Sequence, residues 1–309
     1  MSRVLITGAT GFIGRHCLPL LLEKGYEVHA VSKQPPGELF VPDIEWHECD
    51  LLAPNSAGEI INNVRPEYML HLAWYAVPGK FWEAEENTDW MHASMRLFRK
   101  FADAGGTRLI GAGSCAEYNL NSGECVEDRT PPNPATLYGI CKYIVAKNLG
   151  SWSEKSGLDF AWGRVFYPYG PYENPSRLVA YVVRSLLCGE EAFCSEAQQT
   201  LDFIHVKDVA AALVSLLESK IQGAVNIGTG QPVIVRVALQ EIGKQTGRAN
   251  LIRLGARGSS AQKEWLWANT EKLRSYSNWK PQFDLVSGIS DAIQWWRGHL
   301  EGKQTLPQH

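Results

Sequence analysis

The chain has 309 residues, a formal net charge of −3 and a hydrophobic content of 45%. This apolar content is enough for a buried core and excludes the disordered and fibrous classes of protein. No run of Lys and Arg forms the basic stripe that a nucleic-acid backbone requires, and no apolar stretch is long enough for a signal peptide or a membrane span. We therefore expect a cytoplasmic protein that binds neither nucleic acid nor a membrane.

Short runs rich in Val, Ile and Leu alternate with segments of helical periodicity along the first half of the chain. Strands are predicted at 3–7, 27–31, 45–49, 67–73, 108–113 and 158–165, and helices at 12–24, 54–64, 86–104 and 134–155. This alternation predicts parallel βαβ units, and so an α/β fold with a Rossmann doubly wound parallel sheet. The segment 167–171, rich in Pro and Gly, is predicted to be a loop.

After residue 170 the predicted elements are shorter, and they indicate a smaller α+β region. Helices are expected near 175–187, 207–219, 235–247 and 285–298, and strands near 201–205 and 224–228. We expect residues 1–170 to form an NAD(P)-binding Rossmann domain, which can also recruit part of 200–230. Residues 171–309 are expected to form mainly a substrate-binding region.

A glycine-rich loop follows the first strand directly and opens the first helix. Its spacing is G-x-x-G-x-x-G, so the position of the loop carries the prediction as much as the pattern does. Glycine lets the backbone approach a pyrophosphate, and the helix N-terminus presents free N–H groups to it. We expect a dinucleotide to be bound by Gly8, Thr10, Gly11, Phe12, Ile13, Gly14 and Arg15.

The end of the second strand bears on which dinucleotide is bound. NAD sites place an Asp or Glu there to hold the ribose 2′-hydroxyl, whereas this strand ends in Ser32 and Lys33. A hydroxyl and an ammonium suit a 2′-phosphate better, and Arg15 offers a second positive charge. The sequence therefore favours NADP(H), with NAD(H) as the alternative.

Three polar residues outline a site for chemistry. Tyr138 and Lys142 lie one helical turn apart on the same face, and a neighbouring ammonium is what a phenol needs to serve as an acid–base group at neutral pH. Ser114 follows the fifth strand, where ligands bind in open α/β sheets, and its hydroxyl can hydrogen-bond a substrate carbonyl oxygen. Ser114, Tyr138 and Lys142 are therefore the predicted catalytic residues of a hydride-transfer site.

No metal site is predicted. The seven cysteines lack C-x-x-C spacing, and the histidines, His29 and His47 among them, show no metal-ligand spacing with cysteines or carboxylates.

The order and spacing of these motifs resemble the extended short-chain dehydrogenase/reductase family, of the NAD-dependent epimerase/dehydratase type. The resemblance runs from the loop at 7–14 through 71–73, 164–171 and 202–206 to 226–230. It implies a nucleotide-diphosphate sugar bound between the Rossmann domain and the C-terminal region, and a homodimer formed by helices near 86–104 and 137–155. It also implies cofactor contacts from Asp50, Leu51, Leu72, Ala73, Trp74, Tyr138, Lys142 and Val165.

The run Ser-Cys-Ala-Glu-Tyr at 114–118 is similar to that of some nucleotide-4-keto-6-deoxysugar reductases, and it lacks the acid pair of the 4,6-dehydratases. The resemblance therefore implies a 4-ketoreductase first and a nucleotide-sugar epimerase second. A non-catalytic Rossmann-fold binding protein is a third alternative, which the complete set of Ser114, Tyr138 and Lys142 disfavours. The segment 74–82, with four aromatic residues, is expected to enclose the sugar. Arg253 and Arg257 are alternatives to Arg177 as the cation for the substrate diphosphate. Substrate contacts are expected from Tyr75, Cys115, Glu117, Tyr167 and Arg177.

Overall fold

The computed structural model describes residues 1–34, 36–39, 41–258 and 264–304. The strands are β1 (Arg3–Thr7), β2 (Glu27–Ser32), β3 (Ile44–Glu48), β4 (Tyr68–His71), β5 (Arg108–Ser114), β6 (Gly123–Cys125), β7 (Asp159–Val165), β8 (Tyr167–Tyr169), β9 (Ala192–Phe193), β10 (Thr200–Leu201), β11 (Phe203–His205), β12 (Gly223–Ile227), β13 (Val233–Ile234), β14 (Ile252–Arg253) and β15 (Trp265–Ala268). The helices are α1 (Gly14–Glu23), α2 (Ser56–Val64), α3 (Glu86–Asp103), α4 (Leu137–Ser156), α5 (Leu178–Cys188), α6 (Val206–Glu218), α7 (Val235–Thr246), α8 (Glu271–Tyr276) and α9 (Leu285–Gln304).

A parallel sheet in the order β12-β7-β5-β4-β1-β2-β3 forms the centre of the molecule. Successive side chains of a strand point to opposite faces, and β1 shows the result. Val4 and Ile6 pack with α1 and α6 on one face, while Leu5 packs with α2, α3 and α4 on the other. Because both faces are covered, the inner strands β1, β4 and β5 are buried almost throughout, and the predicted doubly wound α/β fold is confirmed.

The predicted loop at 167–171 is wrong in part, because Tyr167–Tyr169 forms β8 and pairs in parallel with β11. Pro168 is tolerated there because the pair is a two-stranded ribbon, in which one side of each strand makes no ladder bonds. The predicted strand at 201–205 is divided between two sheets at Asp202. The buried Asp202 carboxylate accepts hydrogen bonds from the N–H groups of Thr229, Gly230 and Ala268, and these bonds tie the break in the strand to two other segments.

The C-terminal half has a core of its own. β8, α5, α7 and α9 contribute to it, and Ile293 and Trp296 of α9 are buried there. β12, from the same half of the chain, instead joins the central sheet beside β7. Within the described ranges, no helix is both long enough and apolar enough to cross a membrane.

Candidate active site

A cavity of about 830 Å³ lies at the carboxyl ends of the central strands, the edge at which open α/β sheets bind ligands. Twenty of the predicted site residues line it: Gly8, Thr10, Gly11, Phe12, Ile13, Gly14, Ser32, Lys33, Asp50, Leu51, Leu72, Ala73, Trp74, Ser114, Cys115, Tyr138, Lys142, Val165, Tyr167 and Arg177. Three predicted residues, Arg15, Tyr75 and Glu117, are absent from its lining.

The glycine loop forms one end of the cavity and fits a dinucleotide. Gly8 has a φ of +70°, and a Cβ atom there would lie 2.7 Å from the backbone nitrogen of Ala73. A Cβ atom on Gly14 would lie 2.1 Å from the carbonyl oxygen of Gly8. Only glycine therefore allows this close turn, which places backbone at the N-terminus of α1 against the cavity. Such a cradle suits a pyrophosphate, which the helix dipole and free N–H groups stabilise.

The groups expected to bind a 2′-phosphate are engaged within the protein. Lys33 Nζ lies 2.7 Å from Asp50 Oδ2, and this contact lowers the pKa of Asp50. The Ser32 hydroxyl donates to the carbonyl oxygen of Gln34 at 2.5 Å. The Arg15 guanidinium lies 4.1 Å from the ring centre of Tyr172, outside the cavity. The structure does not support the expected preference for NADP(H).

Ser114 and Tyr138 are brought together by the end of β5 and the first turn of α4. The helix begins after Thr136, whose hydroxyl accepts a hydrogen bond from the N–H of Gly139, the usual N-cap arrangement. The Ser114 hydroxyl is a hydrogen-bonding neighbour of the Tyr138 phenol and lowers its pKa, but burial outweighs it and raises the pKa to about 12. Tyr138 is therefore a neutral phenol at pH 7 in this state.

Lys142 lies on the same face of α4 and is 3% exposed. Its ammonium donates to the carbonyl oxygen of Ala112 at 2.7 Å and lies 5.9 Å from the ring centre of Tyr138. Burial lowers the pKa of Lys142 to about 7, although the Glu117 carboxylate opposes the shift. A lysine that is easily deprotonated beside a half-buried phenol is characteristic of a site that handles protons.

An aromatic wall surrounds Tyr138 and consists of Trp74, Phe81 and Trp82. The three ring centres lie 6.5, 4.9 and 5.9 Å from that of Tyr138, all in edge-to-face geometry. The N–H of Tyr138 donates to the carbonyl oxygen of Trp82 at 3.0 Å, so the wall is joined to α4. Trp74, Phe81 and Trp82 therefore line the cavity as expected, whereas Tyr75, the fourth aromatic residue of the segment 74–82, does not.

Glu117 is buried beneath the cavity. The expectation that it contacts the substrate is therefore wrong. Its Oε1 accepts hydrogen bonds from the N–H of Ser114 at 2.9 Å and from Trp162 Nε1 at 2.8 Å. Its Oε2 accepts from Arg164 Nε at 2.9 Å. All of these donors belong to the protein, so the carboxylate fixes the backbone of Ser114 and has no exposed surface for a substrate.

Of the three candidate cations, Arg177 lines the cavity, whereas Arg253 and Arg257 do not. Arg177 Nε donates to Glu173 Oε1 at 3.0 Å, and burial raises the pKa of Glu173 to about 7. Arg253 is paired with Glu191. Cζ of Arg257 lies 4.6 Å from the Tyr181 ring centre.

Two lining residues just before Arg177, Asn174 and Ser176, were missed by the sequence analysis. Their signal was a polar segment between the Pro and Gly cluster at 168–171 and the next helix. This segment follows β8, which continues the chain beyond the carboxyl end of β7, and side chains at that edge of a parallel sheet face the ligand site.

The chain is similar to known proteins over nearly its whole length. Residues 4–228 match the family described as "NAD dependent epimerase/dehydratase family". A putative UDP-glucose 4-epimerase from Methanocaldococcus jannaschii is 26% identical over 96% of this chain and 99% of its own. A dTDP-6-deoxy-L-talose 4-dehydrogenase (NAD(+)) from Aggregatibacter actinomycetemcomitans is 25% identical over 77% of this chain and 88% of its own. The solved structure of MoeE5 with UDP-glucose and NAD superposes with a TM-score of 0.82, at 27% identity over 97% of this chain and 100% of its own.

The parallel sheet, the glycine loop and the converging Ser114, Tyr138 and Lys142 define an enzyme of the extended short-chain dehydrogenase/reductase class. The chain belongs to the NAD-dependent epimerase/dehydratase family, whose match covers more than half of it.

Proposed function

We propose that this enzyme is an NAD-dependent nucleotide-sugar 4-epimerase. The observation that carries the proposal is the convergence of Ser114, Tyr138 and Lys142 on one cavity that also contains the glycine loop. Its volume of about 830 Å³ lies toward the upper end of the range of about 300–1,000 Å³ for small-ligand sites. The similarity to a putative UDP-glucose 4-epimerase and to a structure with UDP-glucose and NAD supports epimerisation over the reduction favoured by the sequence.

The glycine loop and the ends of β2 and β4 would hold the dinucleotide. Bound NAD⁺ supplies reversible hydride exchange with C4 of the sugar. Tyr138 accepts the proton of the 4-hydroxyl group and returns it, while the Ser114 hydroxyl donates a hydrogen bond to the same oxygen. As a base, Tyr138 needs a pKa below about 12. The Arg177 guanidinium already lowers the pKa of Tyr138, and the Lys142 ammonium, 5.9 Å from the ring centre, would lower it further when charged.

The remaining lining residues would hold the sugar ring and the diphosphate of the substrate. The aromatic wall offers Trp74, Phe81 and Trp82 as apolar surface for a sugar ring. Arg177, held by Glu173, offers a cation to a diphosphate. Homodimerisation through α3 and α4 stays a prediction.

A 4-ketoreductase is the second candidate. It is favoured by the Ser-Cys-Ala-Glu-Tyr run at 114–118 and by the similarity to dTDP-6-deoxy-L-talose 4-dehydrogenase (NAD(+)). A reductase consumes one NADH for each molecule of keto sugar reduced, whereas an epimerase forms product with no net consumption of cofactor.

The test is incubation of the purified enzyme and NAD⁺ with UDP-glucose, UDP-galactose and UDP-glucuronate, with the nucleotide sugars separated by chromatography. We expect the 4-epimer of at least one of them to form. Tyr138→Phe should lower kcat by about 10²–10⁴-fold, because it removes the acid–base group. Tyr143→Phe is the matched control, since Tyr143 lies on the same helix outside the cavity lining. Absence of any epimer together with NADH oxidation on a keto sugar would favour the reductase.

A further inference from the structure

Three metal-ligating side chains converge on the outer strands of the central sheet, away from the cavity. His29 of β2 lies directly opposite Glu45 of β3 in the strand register, and His47 is two residues further along β3. Alternate residues of a strand point to one face, so Glu45 and His47 share a face with His29. The sequence shows no metal-ligand spacing because the pairing of two strands creates the cluster.

The distances within the cluster match the coordination shell of a small transition-metal ion. His29 Nδ1 lies 3.0 Å from His47 Nε2 and 3.5 Å from Glu45 Oε2. His47 Nε2 lies 3.7 Å from Glu45 Oε1. Ligand bonds of about 2.0–2.1 Å in a tetrahedral zinc site separate neighbouring ligand atoms by about 3.3–3.4 Å. Three ligand atoms are therefore already close to the positions that zinc requires.

Glu27 supplies the outer partner that zinc-binding histidines commonly have. His29 Nε2 lies 3.2 Å from Glu27 Oε1. If His29 Nε2–H donates a hydrogen bond to Glu27, His29 Nδ1 carries no proton and acts as an acceptor. It then accepts a hydrogen bond from His47 Nε2–H. Zinc would replace that shared proton, leaving Glu27 to orient His29, as carboxylates do in carboxylate–histidine–zinc arrangements.

Access and charge also suit a bound cation. The side chains of His29 and His47 are 5% and 18% exposed, whereas that of Glu45 is 63% exposed, so the cluster opens to solvent on one side. The carboxylate of Glu45 supplies a negative charge at the mouth of the cluster, and carboxylate oxygens are among the ligands of zinc. We propose that His29, Glu45 and His47 form a zinc site, with water as the fourth ligand, that joins β2 to β3.

The site lies outside the catalytic cavity, since none of its three ligands lines the cavity. β2 and β3 nevertheless lead to Ser32, Lys33 and Asp50, which do line it. Zinc binding is therefore a property that can be measured without activity, and its failure would leave the proposed epimerase untouched.

The test is zinc binding to the chelator-treated full chain, measured by competition with a coloured chelator, together with the visible spectrum of the Co²⁺ form. We expect one tightly bound zinc ion per chain, with Co²⁺ bands of tetrahedral type and no thiolate charge-transfer band. Glu45→Gln and His47→Gln should each weaken binding at least about tenfold, and Glu27→Gln by about 10–100-fold. Glu48→Gln, on the same strand, and His92→Gln, both at exposed positions, should bind as the wild type does.

Equal zinc affinity of the wild type and Glu45→Gln would overturn the proposal, as would zinc binding abolished by Cys188→Ser, which removes an exposed thiol. The Glu45 side chain is mostly exposed, so we expect Glu45→Gln to fold normally. The test therefore remains decisive even if His47→Gln fails to fold. Zinc should also raise the thermal midpoint of the wild type but not that of Glu45→Gln.

Discussion

The ammonium of Lys142 rests 3.8 Å from the centre of the Trp74 ring. The indole and the carbonyl oxygen of Ala112 contact this buried charge directly, and the Glu117 carboxylate favours the charged form from further away. A cation–π contact and one hydrogen bond replace only part of the hydration of an ammonium, which is why burial lowers its pKa to about 7. The enzyme therefore carries a destabilising charge at the place where the proposed chemistry needs one.

Lys142→Met should stabilise the enzyme in the absence of ligands, by about 1–2 kcal/mol near pH 7. The pKa of Lys142 falls from 10.5 to about 7 on folding, so between these values the unfolded chain binds more protons and stability rises with pH. The cost of Lys142 is thus largest below pH 7 and disappears above about 10.5. Urea unfolding should show a larger gain from the substitution at about pH 6.5 than at about pH 10.

Lys147→Met is the control for that experiment, because Lys147 lies on the exposed side of the same helix. It should change the free energy of unfolding by less than about 0.5 kcal/mol at either pH. A stabilisation by Lys142→Met that does not vary with pH would show that the charge of Lys142 is not its cause.

Glu117→Gln should lower the free energy of unfolding by about 3–5 kcal/mol, because it leaves the buried guanidinium of Arg164 without its charge partner. The 2.9 Å bond from Arg164 Nε is one of three to this carboxylate, so the loss should also loosen the backbone of Ser114. Urea unfolding measures the first effect, and kcat measures the second. Glu154→Gln, at an exposed position, should remain within about 0.5 kcal/mol of the wild type. A similarly small change for Glu117→Gln would contradict the assigned role.

Lys33→Gln tests the cofactor assignment. Because Lys33 is paired with Asp50 and is largely exposed, its loss should change the Kd for NAD⁺ by less than about fivefold, the range of a surface ion pair. Calorimetry with NAD⁺ and NADP⁺ measures both affinities, and we expect NAD⁺ to bind more tightly in both proteins. If the wild type prefers NADP⁺ and Lys33→Gln abolishes that preference, the original sequence interpretation was right.

Features formed by residues close together in the sequence could be predicted. Features formed by contacts between distant segments could not. The glycine loop could be predicted because the close approach of Gly14 to Gly8 occurs within one turn. Glu117 was misjudged because its partners, Trp162 and Arg164, lie on a strand more than forty residues away. The break at Asp202 has the same origin, since the donors that fix it come from two distant segments.

The convergence of histidines illustrates the same limit at the edge of the sheet. His29 and Glu45 lie on different strands, and only the register of β2 and β3 places them side by side. Likewise, Lys33 looked like a phosphate ligand because its ion pair with Asp50 could not be read from either segment alone. Charges in a sequence indicate a ligand only when their partners within the protein are known.

The most direct test of the proposed epimerase follows deuterium in UDP-glucose labelled at C4, with the enzyme and NAD⁺ in ordinary water. If the label leaves C4 and returns to the same carbon on the opposite face, mass spectrometry and NMR will show UDP-galactose that retains deuterium at C4, with no net change in the absorbance of the cofactor. Product without the label, or accumulation of a keto sugar with stoichiometric NADH, would contradict epimerisation at this site.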